Sequence, residues 1–202
     1  MLIDSLRSYH IVLASKSPRR HELLRGMGIE FSIITKEVDE SFPDHLSPDE
    51  IADFLCRQKA KAFNSDILPP DYLLITADTI VVVGDLVLNK AANRQEAISM
   101  LELLSGKTHQ VITGICLKHK VHQSSFTEMS EVSFGRLSRD EICWYVDRYQ
   151  PYDKAGAYGI QEWIGYIGIE KVNGSYFNVV GLPTFRLFNE LKKFVNEIKQ
   201  TK

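Results

Sequence analysis

Cysteine is scarce in this chain. Its three cysteines, Cys56, Cys116 and Cys143, are too few and too far apart for a disulfide framework, and no CxxC pair or histidine at a ligand spacing accompanies them. They read as buried free thiols of a reducing compartment, which points to the cytoplasm. An excess of either charge is lacking too. With 24 basic and 26 acidic residues the net charge is −2, so no overall positive field exists to hold a nucleic-acid backbone, and any phosphate must be bound by a local cluster. No apolar run approaches membrane-spanning length, and the opening MLIDSLRSYHIVLAS lacks the apolar core of a signal peptide. Neither nucleic acid nor membrane is an expected partner. A GxxxxGK[ST] motif is absent, Gly26-x-Gly28 does not extend to GxGxxG, and the six histidines form no HExxH, which argues against a P-loop, a dinucleotide site and a zinc hydrolase. No repeat, low-complexity tract or flexible linker divides the chain, so a single domain over 1–202 is expected.

What is present is ordinary for a globular protein, 44% hydrophobic and 25% charged. Residues 10–14 read as a short buried strand. Ser17 as N-cap with Pro18 at the first helical position predicts a helix stopping near Gly28. Ser47-Pro48-Asp49-Glu50 is a capping box opening a second helix to about Phe63. The segment 65–71 reads as a substantial loop. Residues 73–77 and 80–83 are rich in β-formers, Gly84-Asp85 turns the chain and 86–88 returns it. Asn93 and Glu96 have the spacing of a cap for a helix through Leu104, and 110–117 and 124–134 read as long strands. Ser138-Arg139-Asp140-Glu141 caps a further helix to about Arg148. Asn173-Gly174, between 166–172 and 175–180, is a hairpin signal, and a C-terminal helix follows Pro183. Helices and long strands interleave without a regular βαβ beat, so the expected class is α/β with a mixed sheet flanked by helices, rather than a doubly wound nucleotide fold.

Several charges stand where charge is costly. The first turn of a helix favours acids, yet SPRRHELLRGMG puts Arg19 and Arg20 there. At about 100° per residue, Arg20 falls in the middle of the side that carries Leu23, Leu24 and Met27. Its guanidinium either snorkels to a structural carboxylate or, with Arg19 and the unpaired helix N–H groups, frames a phosphate pocket. On the second helix Lys59 lies near the centre of the face formed by Ile51, Ala52, Leu55, Ala62 and Phe63, opposite Asp53, Arg57 and Lys61. A lysine there must find a carboxylate, lose its charge or look into a cleft containing an anion. Asp78 stands between two β-rich runs, where it must be hydrogen-bonded, bound to metal or used chemically; a bulge aspartate satisfied by backbone donors is the structural alternative. Lys90, just past the returning strand, can point back to the same end of the sheet. Asp39 and Glu40 in KEVDESF follow the strand-like 31–35 and offer oxygens to Mg²⁺ or belong to a solvated loop.

SKSPRR, EVDE, KAKAF, ADTIV, LSGKTHQVITG, DKAGAYGIQ and KVNGSYFNVVGLP occur in an order that resembles the Maf family of nucleoside triphosphate pyrophosphatases over nearly the whole chain. The resemblance implies a Maf/ITPase-like fold, a mixed twisted sheet flanked by helices with a deep central cleft, as one domain or two lobes around that cleft. It implies divalent-metal-dependent cleavage, with Mg²⁺ or Mn²⁺, of a nucleoside triphosphate between its α- and β-phosphates. It places the catalytic base at Asp78 through ADT and phosphate-binding positions at Arg19, Arg20, Lys59 and Lys90; Ser15 is expected beside them on the phosphates, and Asp78, Asp39 and Glu40 are the expected metal oxygens. The GAYGIQ form looks like the branch acting on dTTP and UTP, with Arg19, Thr79 and Gln161 as its specificity positions.

The residues suit that transfer. A triphosphate and its leaving pyrophosphate need several cations for neutralisation, and an amide such as Gln161 offers both the donor and the acceptor that an imide edge requires. Two departures stand out: Ala91 follows Lys90 where the family usually has proline, and Glu162-Trp163 follow GIQ where a glycine is common. Trp163 either stacks on the base or packs in the core. The expected activity is house-cleaning hydrolysis of dTTP and UTP, modified pyrimidine nucleotides included. The alternatives are the same chemistry on a modified guanine nucleotide such as 7-methyl-GTP, and a nucleotide-sensing regulator linked to septum formation. A nucleoside triphosphate is the expected partner, and a homodimer is compatible with the resemblance.

Overall fold

The computed structural model describes residues 1–64 and 67–201; positions 65 and 66 of the expected 65–71 loop lie outside the described residues. In chain order the elements are α1 (Leu2–Leu6), β1 (His10–Leu13), α2 (Pro18–Gly26), β2 (Ser32–Ile33), α3 (Pro48–Lys61), β3 (Tyr72–Val83), β4 (Leu86–Leu88), α4 (Arg94–Leu104), β5 (Thr108–Lys118), β6 (Gln123–Phe134), α5 (Arg139–Tyr149), α6 (Trp163–Gly168), β7 (Ile169–Asn173), α7 (Tyr176–Val180) and α8 (Thr184–Thr201). The strands form a mixed sheet in the order β2-β1-β3-β5-β6-β7, with β4 paired to β3. β1 runs parallel to both β2 and β3, whereas β3–β4 and β6–β7 are antiparallel. The expected mixed α/β class is the observed one. The chain divides into two compact units, one of Met1–Asp78, Thr113–Glu128 and Gly181–Lys202, the other of Thr79–Ile112 and Met129–Val180.

In the first unit, successive strand side chains pass to opposite faces. Ile11, Leu13, Leu73, Ile75, Ala77, Ile115 and Leu117 pack with Leu24 of α2 and with Leu187, Leu191, Phe194 and Ile198 of α8. Val12, Leu74 and Cys116 pack on the other side with Cys56 and Ala60 of α3 and with Phe63 just beyond its end. A sheet covered on both faces has no reason to alternate apolar with polar, which is why 73–77 reads as a continuous apolar run. The stripe Ala52, Cys56, Lys59 and Ala60 is the sheet-facing side of α3, by its spacing of three and four residues. Two contacts fix its distance and register. The Thr76 hydroxyl of β3 donates to the Cys56 carbonyl at 2.6 Å, and Gly114 of β5 lies so close that a Cβ there would fall 2.1 Å from the Ala52 carbonyl oxygen. Lys118 caps the far end of α3, its ammonium donating to the Ala60 and Phe63 carbonyls at 3.0 and 2.7 Å, where the helix dipole favours a cation.

The second unit packs Ala97, Ile98, Leu101 and Leu104 of α4 and Ile142, Tyr145 and Val146 of α5 against Val81, Val111, Val132 and Phe134 of the sheet. His109 is buried among them. Its Nε2 lies 2.8 Å from the Tyr158 hydroxyl and its ring meets Phe134 edge-on, and burial pulls its pKa down to about 4.

Most expected elements form within a few residues of their sequence signals, and Ser17, Asn93 and Ser138 each accept a cap hydrogen bond as read. Three differences have physical causes. β3 is one strand through Asp78, not two runs. The five-residue α1 goes unannounced because only Leu2 and Leu6 of it are buried. The hairpin across Asn173-Gly174 does not form: 163–168 is α6, β7 pairs with β6, and 176–180 is α7. The type I′ turn that Asn-Gly favours needs positive φ at both central residues, and type II′ needs it at the first; here the second, Gly174, has it at 121° and Asn173 does not. The buried Asn178 side chain instead donates to the Val111 carbonyl and the Ser130 hydroxyl, both at 3.0 Å, while Ser175 caps the short helix by accepting from the Asn178 N–H. Cys56 and Cys116 are buried free thiols as expected, and Cys143 is half-buried. Among the described residues no helix is long and apolar enough to cross a membrane.

Gly114→Ala should cost about 1–3 kcal/mol, because the new methyl meets backbone rather than a side chain that can swing away; an unchanged urea midpoint would refute the close approach. His109 generates a pH dependence. Its native pKa lies below that of the unfolded chain, about 6.5, so its contribution is complete above that pH and drains as pH falls towards 4, by up to about 3 kcal/mol. Urea unfolding across this range should show the parent losing that component relative to His109→Gln.

Candidate active site

The loop between β1 and α2 is drawn tight by its own side chains. Ala14 N–H continues the β1 ladder to the Ile75 carbonyl at 2.9 Å, after which Ser15 Oγ accepts from the Ser17 N–H at 3.2 Å. His21, one turn into α2, places Nε2 2.7 Å from the Ser15 carbonyl oxygen. Pro18 starts the helix, and its first turn carries no acid. Arg20 is turned inward and spans three acceptors: Nε donates to the Gly181 carbonyl at 2.8 Å, and Nη1 to the Ala77 carbonyl at 2.9 Å and to Ser15 Oγ at 3.4 Å. Burial pulls its guanidinium below the ordinary range, Asp78 pulls it back up, and Arg19 adds to the fall. A guanidinium stays protonated through all of this. Half-buried Arg19 flanks it.

Lys59 reaches the same place from the other face of the sheet. With Cys56 tied to Thr76, three further residues of α3 advance about 4.5 Å and two further residues of β3 about 6.6 Å, both returning to about the same face. That step brings Lys59 opposite Asp78. Its ammonium lies 2.7 Å from Asp78 Oδ2 and 2.9 Å from Glu40 Oε1, with side-chain exposures of 17% for Lys59, 10% for Asp78 and 42% for Glu40. Two carboxylates therefore share one cation at the edge of solvent. Asp78 lies inside β3, which runs from Tyr72 to Val83.

Ser15, Arg20, Glu40, Lys59 and Asp78 thus come together in the first unit. Asp39 does not join them. Its carboxylate accepts from the N–H and hydroxyl of Ser41 at 2.9 and 2.7 Å, which holds it below the usual carboxylate range. The remaining expected residues belong to the second unit. Thr79, half-buried, follows Asp78 on β3. Lys90 is exposed, and its backbone bridges to Ala155, at the start of the segment that leads to Gln161. Gln161 is exposed at the end of that segment. Ala91 is buried in the core of this unit, and Trp163 packs its ring 4.6 Å from that of Trp144.

Sequence reading missed the Ala77 and Gly181 carbonyls that hold Arg20, because a backbone acceptor leaves no mark in residue type. It also passed over His21, whose position one turn after Ser17 was the available signal. A third omission is the group Tyr145, Lys154 and Glu162 in the second unit. Lys154 is buried and its ammonium lies 3.0 Å from Glu162 Oε1 and 2.7 Å from Asp153 Oδ1.

A strand carboxylate met by a lysine from one side, with an arginine held beside it at a helix N-terminus, defines an α/β protein built to handle an anion. More particularly, the chain belongs to the Maf-like protein family, whose model matches residues 10–194. It is 52% identical over 193 residues to the dTTP/UTP pyrophosphatase of Bacteroides fragilis, covering 95% of this chain and all of that protein. It is 50% identical to the dTTP/UTP pyrophosphatase of Porphyromonas gingivalis over 96% of this chain and 98% of that one. Among solved structures, a HAM1 protein from Coxiella burnetii overlaps 95% of this chain and 99% of its own at 17% identity, with a TM-score of 0.44.

Arg20→Lys keeps the charge but not the fork, so one lysine cannot serve the Ala77 and Gly181 carbonyls together. Thermal and urea unfolding should report a loss of about 1–3 kcal/mol, the cost of stranding a buried acceptor; wild-type stability would show that the span is dispensable.

Proposed function

We propose that the chain is a nucleoside triphosphate pyrophosphatase that hydrolyses dTTP and UTP to the nucleoside monophosphate and pyrophosphate. The observation that carries this reading is the convergence of Asp78, Lys59, Glu40 and Arg20 at one point of β3, supported by close relatives named for that activity. Water attacks the α-phosphorus, its oxygen forms the new bond and the bond to the oxygen bridging to the β-phosphate breaks, so that pyrophosphate leaves. Asp78 orients the attacking water and takes its proton. Ser15, Arg19, Arg20, Lys59 and Lys90 bind the phosphates, where their charge offsets what accumulates on the leaving group. Gln161, with Thr79 and Arg19, recognises the base, its amide matching the donor and acceptor of a uracil or thymine imide edge.

The donor set fits a divalent cation, Mg²⁺ or Mn²⁺. Asp78 and Glu40 already converge on one positive charge, and hard carboxylate oxygens suit such ions. Among the described residues no group of three or more His, Cys, Asp or Glu could hold a metal, so the other ligands would be phosphate oxygens and water, as is usual for Mg²⁺. Asp39, whose carboxylate accepts from Ser41, is the further carboxylate expected in this set. Bound there, the ion would supply Lewis-acid polarisation of the phosphoryl oxygens. The same reading takes the chain as one catalytic domain, cytoplasmic and without a nucleic-acid partner; the net charge of −2 speaks against a nucleic-acid partner, and the three free thiols suit a reducing compartment.

The test is pyrophosphate release from UTP, dTTP, CTP, GTP, ATP and 7-methyl-GTP, with Mg²⁺, with Mn²⁺ and without metal. UTP and dTTP should be preferred. Asp78→Asn should lower kcat by about 10²–10⁴ in a protein that still folds, with a melting midpoint lowered by loss of the Lys59 pair; near wild-type turnover would remove Asp78 as the base, and preference for 7-methyl-GTP would reassign the substrate.

A further inference from the structure

The segment 153–162 of the second unit is held in an expensive conformation by charges that no chemistry so far described uses. Gly156 and Ala157 are both left-handed, at φ 68° and 57°. Glycine adopts this freely, but alanine stores strain that its surroundings must offset. At its start the segment is fixed to the chain around Lys90: Ala155 bridges to Lys90 and the Gly156 N–H donates to the Asn89 carbonyl at 3.2 Å. A Cβ at Gly156 would fall 3.0 Å from Val81 Cγ1, so the backbone lies directly on β3.

Its other end is fixed by Glu162. One carboxylate oxygen pairs with the buried Lys154 ammonium at 3.0 Å, and the other accepts from the hydroxyl of the fully buried Tyr145. That hydroxyl in turn accepts from the Gly159 N–H at 3.1 Å. The Glu162 N–H closes the loop on the Gly159 carbonyl at 2.9 Å, and a Cβ at Gly159 would fall 2.8 Å from Glu162 Cδ. Gln161 lies between these anchors, and its exposed side chain makes no hydrogen bond among the described residues.

A buried ion pair is a poor way to gain stability, since packed apolar side chains of similar volume do as well or better, but a fully satisfied polar network permits one arrangement where an apolar one permits several. We propose that Glu162 is a positioning residue: clamped between Lys154 and Tyr145, it sets the turn that presents Gln161 and thereby the discrimination between bases. This rests on the reading of Gln161 as the base-recognition residue. The glutamate that departs from the family's usual glycine is, on this account, the part that makes the neighbouring turn rigid.

The experiment measures kcat and KM for UTP, dTTP and CTP in the parent, Tyr145→Phe, Glu162→Ala and Glu162→Gln, with melting midpoints for each. Displacing a recognition amide by a fraction of an ångström to an ångström costs up to about 10²-fold. The expected result is a drop of about tenfold or more in the ratio of kcat/KM for UTP over CTP in Tyr145→Phe and Glu162→Ala. The drop should arise through KM for UTP, with kcat within about threefold and partial recovery in Glu162→Gln, which keeps an acceptor for Tyr145. A folded, active variant with an unchanged ratio overturns the inference, as does a uniform loss on all three substrates. Tyr145→Phe keeps the volume and leaves the Lys154–Glu162 pair in place, so it decides the matter if Glu162→Ala does not fold. A parent inactive on every triphosphate overturns the functional reading and this inference together, whereas an active parent with unselective loss in the variants overturns this inference alone.

Discussion

The ion pair between Lys59 and Asp78 is the constraint around which the first unit is arranged. A carboxylate in the interior of a twelve-residue strand, 10% exposed, is costly to bury unless a cation stands within hydrogen-bond distance. Here that cation comes from a covering helix. α3 must therefore sit close enough and in the right register, which is what the missing side chain of Gly114 and the Thr76–Cys56 hydrogen bond provide.

The same point of β3 is approached from the opposite face by α2, whose Arg20 takes the carbonyl of Ala77, the residue before Asp78. A parallel β1–β3 pair brings the loop after β1 beside this position, and the N-terminus of α2 follows it, capped by Ser17 and carrying the positive end of the helix dipole. Two cations and a helix end are thereby gathered around two carboxylates, of which Asp78 is 10% exposed and Glu40, on a loop, 42%.

The second unit also buries charge. Lys154, Glu162 and Tyr145 form a closed network in which the cation, the carboxylate and the hydroxyl each find a partner. The turn it closes contains two left-handed residues, Gly156 and Ala157, a conformation that local propensity does not favour for alanine.

Amphipathic spacing and capping chemistry are local, so Ser17-Pro18, Ser47-Pro48 and Ser138 disclosed their helices from the chain alone, and the apolar runs disclosed a sheet buried on both sides. The misplaced charges were legible for the same reason: Arg20, Lys59 and Asp78 each violate the pattern of the element that carries them. Partners distant along the chain were not legible. The sequence could not say that Lys59 would serve Glu40 as well as Asp78, that Arg20 would settle on the carbonyls of Ala77 and Gly181, or that Glu162 would close a turn through Tyr145. Nor could it foresee that Asn178, buried against Val111 and Ser130, would turn 176–180 into a helix where Asn173-Gly174 promised a hairpin. Periodicity records which face of an element is dry; only packing decides which groups meet across it, because hydrogen-bond acceptors on the backbone and pairings over many residues leave no trace in composition.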